Sequence, residues 1–191
     1  MQGELAQDFR YNKERGLTGY DVRNRFVASF LYDLPFAKTR RVLGGWQLSG
    51  IFQAQSGFPF TVLLASATAN NGRSTRPDVV AGQQPNLGRD GRTLTRYFNP
   101  SVFTPPASFQ TGNSGVMNVI GPGLHTLDVG ILKTIRLVES HSLQARVEFF
   151  NFYNHPSWGA PNNSLGSSAY NTISSQSVPP RQLQFGLKYL F

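Results

Sequence analysis

The sequence predicts an all-β protein, an antiparallel meander of about five strands. The clearest evidence is the carboxy-terminal stretch, where apolar or aromatic residues occupy every second position: Leu183, Phe185, Leu187, Tyr189 and Phe191. The residues between them are polar or small, except for Leu190. Such period-two alternation is typical of a strand with one apolar and one polar face. Because the pattern continues to an aromatic last residue, it favours lipid on one side, a polar lumen on the other, and a larger transmembrane β-barrel.

The composition agrees with strands that need an apolar residue only at alternate positions. Hydrophobic residues make up 39% of the chain, yet aromatic residues reach 13%. There is no run of eighteen apolar residues, which excludes a transmembrane helix. The absence of cysteine excludes thiol chemistry and disulfides. The net charge of +8 comes from scattered basic residues without a recognition module, so we expect no nucleic-acid partner.

Four earlier segments repeat the alternation and complete the meander. We expect the five strands at residues 23–34, 46–56, 125–137, 142–154 and from 181 to the end. Residues 1–22 are interpreted as a loop or as the remnant of a preceding strand, and 23–191 as barrel strands. The connections 35–45 and 138–141 are short, whereas 57–124 and 155–180 are long. Barrels of bacterial outer membranes keep short turns in the periplasm and long loops outside.

Five strands are too few to close a barrel, since the smallest single-chain examples have about eight. We therefore expect this chain to be the carboxy-terminal part of a larger barrel and to be inactive alone. The first eight residues contain no basic segment followed by an apolar core, so no secretory signal is visible. This is also expected of an incomplete protein.

The parity of each strand predicts which side chains face the lumen. Polar residues recur opposite the apolar positions, and glutamines there suit a hydrated lumen better than a dry core, where each amide needs partners. The predicted lumen-facing residues are Gln47, Gln53, Asp128, Arg136, Arg146 and Glu148. Lys133 interrupts the apolar face, and we expect its stem to reach the lipid headgroups.

No pattern in the sequence indicates catalysis or a cofactor. The three histidines, His125, His141 and His155, lack the spacing of a metal site. Asp128 and Glu148 face the same side as nearby arginines, which predicts a ladder of ion pairs rather than an acid–base pair. We therefore expect no catalytic residues, no metal, no cofactor and no enzymatic activity.

The first long loop combines aromatic residues with arginines, and extracellular loops are where barrels meet their ligands. The candidate ligand-contacting residues are Arg92, Arg96, Tyr97, Phe98, Phe103 and Phe109. A folded cap over the barrel mouth explains the same composition, and both interpretations stay open. Siderophore, oligosaccharide and peptide ligands also stay open, because loop composition does not discriminate among them.

Several stretches resemble one family, in the right order. These are residues 25–36 (RFVASFLYDLPF), 45–52 (GWQLSGIF), 55–60 (QSGFPF), 97–103 (YFNPSVF) and 146–155 (RVEFFNFYNH). Ahead of a terminal phenylalanine, they resemble the carboxy-terminal end of a TonB-dependent receptor barrel of the Oar-like type. The resemblance covers roughly residues 20–191.

The resemblance implies a barrel of about 22 strands with an amino-terminal plug, which takes up a scarce ligand across the outer membrane of a Gram-negative bacterium. It implies four partners: the remainder of the barrel and its plug, outer-membrane lipid, the barrel-insertion machinery and the energy-coupling complex. The assembly signal for insertion would then be the alternating series Leu183, Phe185, Leu187, Tyr189 and Phe191. This sequence contains neither the plug nor the coupling box. A secreted soluble β-sandwich that binds carbohydrate through its aromatics is the alternative.

Overall fold

The computed structural model describes residues 15–35, 43–66, 75–138 and 140–191, which form strands, turns and two short 3-10 helices. The helices are Arg89–Gly91 and Pro100–Val102. The strands are β1 (Arg25–Asp33), β2 (Trp46–Gln55), β3 (Pro59–Phe60), β4 (Leu63–Leu64), β5 (Asp78–Val79), β6 (Phe103–Thr104), β7 (Val119–Ile120), β8 (Leu124–Val138), β9 (His141–Phe150), β10 (Ser164–Leu165) and β11 (Gln182–Leu190). No helix in these ranges is long and apolar enough to cross a membrane.

The chain divides into two compact units. The described residues of the first, here called the loop unit, are 15–22, 57–66, 75–122 and 158–175. Those of the second, here called the sheet unit, are 23–35, 43–56, 123–138, 140–157 and 176–191. The loop unit coincides closely with the two long loops expected from the sequence, and the sheet unit with the expected strands.

The sheet unit is one five-stranded antiparallel sheet in the order β1-β2-β8-β9-β11. The all-β fold class is confirmed. Most strand ends lie within two residues of their expected positions, but β9 ends at Phe150 instead of continuing to residue 154. The reason is that Asn151 and Asn154 adopt φ values of 51° and 52°, which no strand residue can have. Asparagine tolerates this left-handed conformation better than other side chains with a Cβ.

The strand register places the alternating apolar positions expected from the sequence on one side. Residues paired across an antiparallel ladder point to the same face. One such row joins Leu48, Ile131, Val147 and Phe185 across four strands. We call this side the apolar face. It also carries Phe26, Phe30, Tyr32, Trp46, Phe52, Leu127, Val129, Ile135, Leu143, Phe149, Leu183, Leu187 and Tyr189.

The opposite side, here called the polar face, carries the residues of the other parity. The predicted separation of the two sets is therefore confirmed as a matter of sheet geometry. Gly50 belongs to the apolar face and has a packing reason for lacking a side chain. A Cβ atom at this position would lie 2.4 Å from the ring of Phe30, its partner in β1. The glycine lets an aromatic ring from the neighbouring strand lie across it.

Lys133 is buried, with 8% of its surface exposed, although it lies on the apolar face. Its ammonium group donates a hydrogen bond to the carbonyl of Gly44 and lies 5.0 Å from the ring centre of Trp46. The expectation that this side chain reaches the headgroups is wrong. The Trp46 ring, across the ladder, and the Gly44 carbonyl, in the turn before β2, stabilise the charge of the ammonium group within the protein.

The loop unit has a hydrophobic core of its own, although no periodic pattern in its sequence predicts one. The core consists of Val62, Tyr97, Phe98, Val102, Phe103, Val119 and Ile173. Phe98 is at its centre and contacts Phe60, Phe103 and Tyr170 edge to face, at ring distances of 5.4–6.0 Å. Three pairs of two-residue strands, β3–β7, β4–β10 and β5–β6, hold the chain around this core.

Asn171 links two distant segments of the loop unit. Its side-chain oxygen accepts hydrogen bonds from the amides of Tyr97 and Phe98, both at 2.9 Å. Its side-chain amide donates to the carbonyl of Phe98 at 2.8 Å. The residue is 3% exposed and has a φ of 65°. A buried asparagine thus satisfies backbone groups that strand pairing leaves unpaired.

Candidate functional site on the sheet and the loop unit

The apolar face is not covered on the edge strands. Phe26 in β1 is 59% exposed, and Phe185 and Leu187 in β11 are 73% and 72% exposed. A continuous apolar surface of this kind is much larger than the single apolar residues that are scattered over an ordinary protein surface. It requires contact with another apolar medium or with a protein partner.

The apolar face has the height of a membrane. β2 and β9 have ten residues each, or roughly 33 Å of strand, which corresponds to about 25 Å at a tilt near 40°. Aromatic residues lie at both ends of this band. At one end, the ring centres of Phe26 and Phe52 lie 6.1 Å apart. At the other end, the rings of Tyr189 and Phe191 stack with their centres 6.1 Å apart. Barrels that cross outer membranes have an apolar band of this height between two aromatic girdles.

All six residues predicted to face the lumen lie on the polar face. That this face lines a lumen stays a prediction. The expected ladder of ion pairs is reduced, in the described ranges, to Arg146 and Glu148 at 3.5 Å. Asp128 instead accepts a hydrogen bond from the backbone amide of Asn151 at 2.9 Å. Arg136 lies opposite Ser142 at the other end of β8, too far from Asp128 to pair with it.

A cleft of about 420 Å³ opens on the polar face where β1, β2, β8 and β9 run side by side. Its lining includes Ser29, Leu31, Ser49, Ile51, Asp128 and Glu148. The cleft is thus partly apolar, with Leu31 68% and Ile51 45% exposed. No nucleophile contacts a base here, and both carboxylates are already held by Asn151 and Arg146.

Three of the predicted ligand-contacting residues belong to the core of the loop unit. Tyr97, Phe98 and Phe103 are 7%, 0% and 3% exposed, so their rings face the core and offer no surface to a ligand in this arrangement. Arg92 donates to the Tyr97 hydroxyl at 2.9 Å and to the carbonyl of Leu87 at 2.8 Å. Burial raises the pKa of Tyr97, and the neighbouring Arg92 guanidinium opposes this shift. Arg92 therefore has a structural role.

The remaining two residues of that set are accessible. Arg96 is exposed, and Phe109 is 84% exposed with a φ of 64°. For these two, ligand contact stays a prediction. The sequence therefore indicated aromatic residues and arginines in this loop but could not separate the aromatic residues that build its core from the one at its surface.

Sequence reasoning missed Asn151, which organises the turn after β9. Its side-chain amide donates to the carbonyls of His155 and Pro179 at 3.0 and 3.1 Å, and its side-chain oxygen accepts from the amide of His155 at 3.1 Å. The turn brings His155 against His125, with ring centres 3.8 Å apart. The available signal was asparagine directly after a strand, a residue type that favours left-handed turns.

The last strand, β11, pairs with β9 along one edge, and no described residue pairs with its other edge. Near its end, the Tyr189 hydroxyl and the Nδ1 atom of His141 share a hydrogen bond of 2.7 Å, and their rings stack at 5.6 Å. Phe191 is 91% exposed. The five apolar residues of the predicted assembly signal are thus accessible on one face, and their role as a signal stays a prediction.

These features match a known family of membrane proteins. A family model described as an outer membrane beta barrel domain matches residues 2–184. The chain belongs to this family. This membership indicates that the protein is located in the outer membrane. It does not agree with the alternative of a secreted soluble β-sandwich. No curated protein and no solved structure matches the chain.

In the described ranges, no group of three or more histidine, cysteine, aspartate or glutamate residues is placed to hold a metal ion.

Proposed function

We propose that this outer-membrane barrel domain is the carboxy-terminal part of a TonB-dependent receptor of the Oar-like type, which takes up a scarce ligand. The observation that carries the proposal is that neither β1 nor β11 pairs on its outer edge with any described residue. Within a bilayer, unpaired backbone groups cost several kcal/mol each. A barrel of this kind therefore needs further strands on both edges.

The loop unit favours a receptor over a simple pore. It is a folded body with an aromatic core, formed by two long connections between strands that pair in the same sheet. Long connections with their own packed core commonly serve in binding. The sequence stretches that resemble the Oar-like receptors lie in both units, which supports the same assignment.

The proposed partners follow from this role. They are the remaining strands and plug of the same barrel, the lipid around the apolar face, the insertion machinery and the energy-coupling complex. The role is binding and transport without catalysis. The ligand belongs to one of three classes, siderophore, oligosaccharide or peptide.

The first test is the reading frame upstream of Met1, which should continue with further alternating strands and a plug. The complete protein is then restored to a deletion strain, and growth is compared with iron, oligosaccharide or peptide as the limiting nutrient. Uptake of the nutrient that restores growth should stop when a protonophore removes the proton-motive force. Uptake that persists with the protonophore would contradict the proposal, because a passive pore needs no energy. A porin of known passive conductance is the control.

A further inference from the structure

Two histidine rings lie in contact at one end of the sheet unit. His125 is the second residue of β8, and His155 follows the turn after β9. Their ring centres are 3.8 Å apart and the ring planes are tilted by 41°. Both residues are exposed to solvent. The third histidine of the chain, His141, is at the opposite end of β9, so the pair is a separate feature.

The backbones that carry the two rings are held firmly. His125 pairs with Ala54 in the ladder between β2 and β8. His155 is held at both its amide and its carbonyl by the side chain of Asn151. The amide of Phe152 donates to the carbonyl of Leu127 at 2.7 Å, which ties the turn to β8. The two rings therefore meet because the main chain places them together, so that binding need not order the backbone first.

Among the described residues, none forms a hydrogen bond with a ring nitrogen of His125 or His155. By contrast, His141 shares its Nδ1 atom with the Tyr189 hydroxyl. A neutral imidazole offers one nitrogen lone pair. Two such lone pairs are thus available, side by side and accessible from solvent.

We propose that His125 and His155 bind one divalent transition-metal ion, of the class of Cu²⁺, Ni²⁺ and Zn²⁺, through one nitrogen of each ring. Imidazole is a preferred ligand of these metals. Metal–nitrogen bonds of about 2.0–2.1 Å place two ligating nitrogens roughly 3.3 Å apart. Rings in contact at 3.8 Å reach this spacing by side-chain rotation, which their exposure permits. Water completes the coordination, because no third protein ligand is among the described residues.

The test uses the tag-free full-length chain in detergent micelles, with Cu²⁺ as the probe. Affinity is measured by competition with a chelating dye, and the number of bound nitrogens by electron paramagnetic resonance. The wild-type protein should show two equivalent nitrogen ligands. His125→Ala and His155→Ala should each lower the affinity at least ~tenfold and leave one nitrogen, because the second ligand binds intramolecularly only when both rings are present.

His141→Ala is the matched control and should leave both readings unchanged. Unchanged Cu²⁺ binding in His125→Ala and His155→Ala, or a loss in His141→Ala, would overturn the proposal. Circular dichroism and the unfolding midpoint of the metal-free variants establish that each is folded. If an alanine variant fails to fold, the larger replacement His125→Gln or His155→Gln takes its place. As a second reading, Zn²⁺ should raise the unfolding midpoint of the wild type and of His141→Ala, but not of the other variants.

Discussion

Replacing Asn171 by alanine should destabilise the loop unit strongly, although the change removes no apolar surface. The side chain is 3% exposed and makes three hydrogen bonds, to the amides of Tyr97 and Phe98 and to the carbonyl of Phe98. The Tyr97 amide keeps a partner, since it also donates to the backbone carbonyl of Asn171 at 3.3 Å. The loss is therefore concentrated at the two backbone groups of Phe98.

The magnitude follows from these two groups and from the backbone conformation. A buried polar group without a partner costs about 1–3 kcal/mol, so two groups at the lower half of this range cost about 2–4 kcal/mol. Alanine at a φ of 65° adds about 1 kcal/mol, because its Cβ disfavours the left-handed region. Asn171→Ala should thus cost about 3–5 kcal/mol. Asn171→Gly should cost about 2–4 kcal/mol, because glycine adopts this φ without strain.

Hydrogen exchange of the full-length chain in detergent, followed by mass spectrometry, measures the effect directly. Peptides that cover residues 97–104 should exchange about 10²–10⁴-fold faster in Asn171→Ala, since local opening controls their protection. Thr95→Ala, at an exposed position, should leave the exchange rate unchanged. If residues 97–104 keep their protection in Asn171→Ala, the hydrogen bonds of Asn171 do not hold the core. If Asn171→Gly speeds exchange as much as Asn171→Ala does, the cost assigned to alanine in the left-handed conformation is wrong.

Three further outcomes are expected. Val147→Arg, on the apolar face, should cost about 2–4 kcal/mol in a folding titration of the inserted protein if the residue lies near the membrane midplane, whereas Gln144→Arg on the polar face should be mild. Burial raises the pKa of Tyr170 from 10.0, so its contribution to stability is complete below pH 10 and is lost as the pH rises further. The Tyr170→Phe variant should therefore be more stable than the wild type above pH 10. At pH 7 the variant should be no less stable, because the buried hydroxyl of Tyr170 has no partner among the described residues. Denaturation of both proteins from pH 7 into the alkaline range measures both differences. Changing both Tyr189 and Phe191 to serine should lower outer-membrane abundance much more than the unfolding midpoint of refolded protein; equal reductions would make the two residues anchors only.

The two faces of the sheet could be predicted from the sequence. Side chains alternate across a strand with a period of two, so the parity of Phe185 and Leu187 determines their face as soon as the strand exists. Pairing preserves this parity from strand to strand, because a shift by one residue would mix the faces throughout the sheet. For this reason the polar residues Gln47, Asp128 and Glu148 lie together on one side, as expected.

Departures from simple alternation depended on neighbours that parity does not reveal. Lys133 is on the apolar face by parity, but its charge is accommodated by Trp46 and Gly44, across the ladder and in the preceding turn. The early end of β9 depended on the left-handed conformation of Asn151. Its side chain bonds to Pro179, which lies near the end of the second long loop.

The loop unit was decided by tertiary structure alone. Its two-residue strands are too short to show any period, so the sequence indicated only a long segment with aromatic residues. Phe98 is at the centre of the core because Asn171, 73 positions away, holds its backbone amide. The meeting of His125 with His155 likewise depends on a turn and a strand end. Local pattern determined the membrane-spanning sheet because its order repeats every two residues; the loop core and the histidine pair arise from single contacts between distant segments, which only the folded chain brings together.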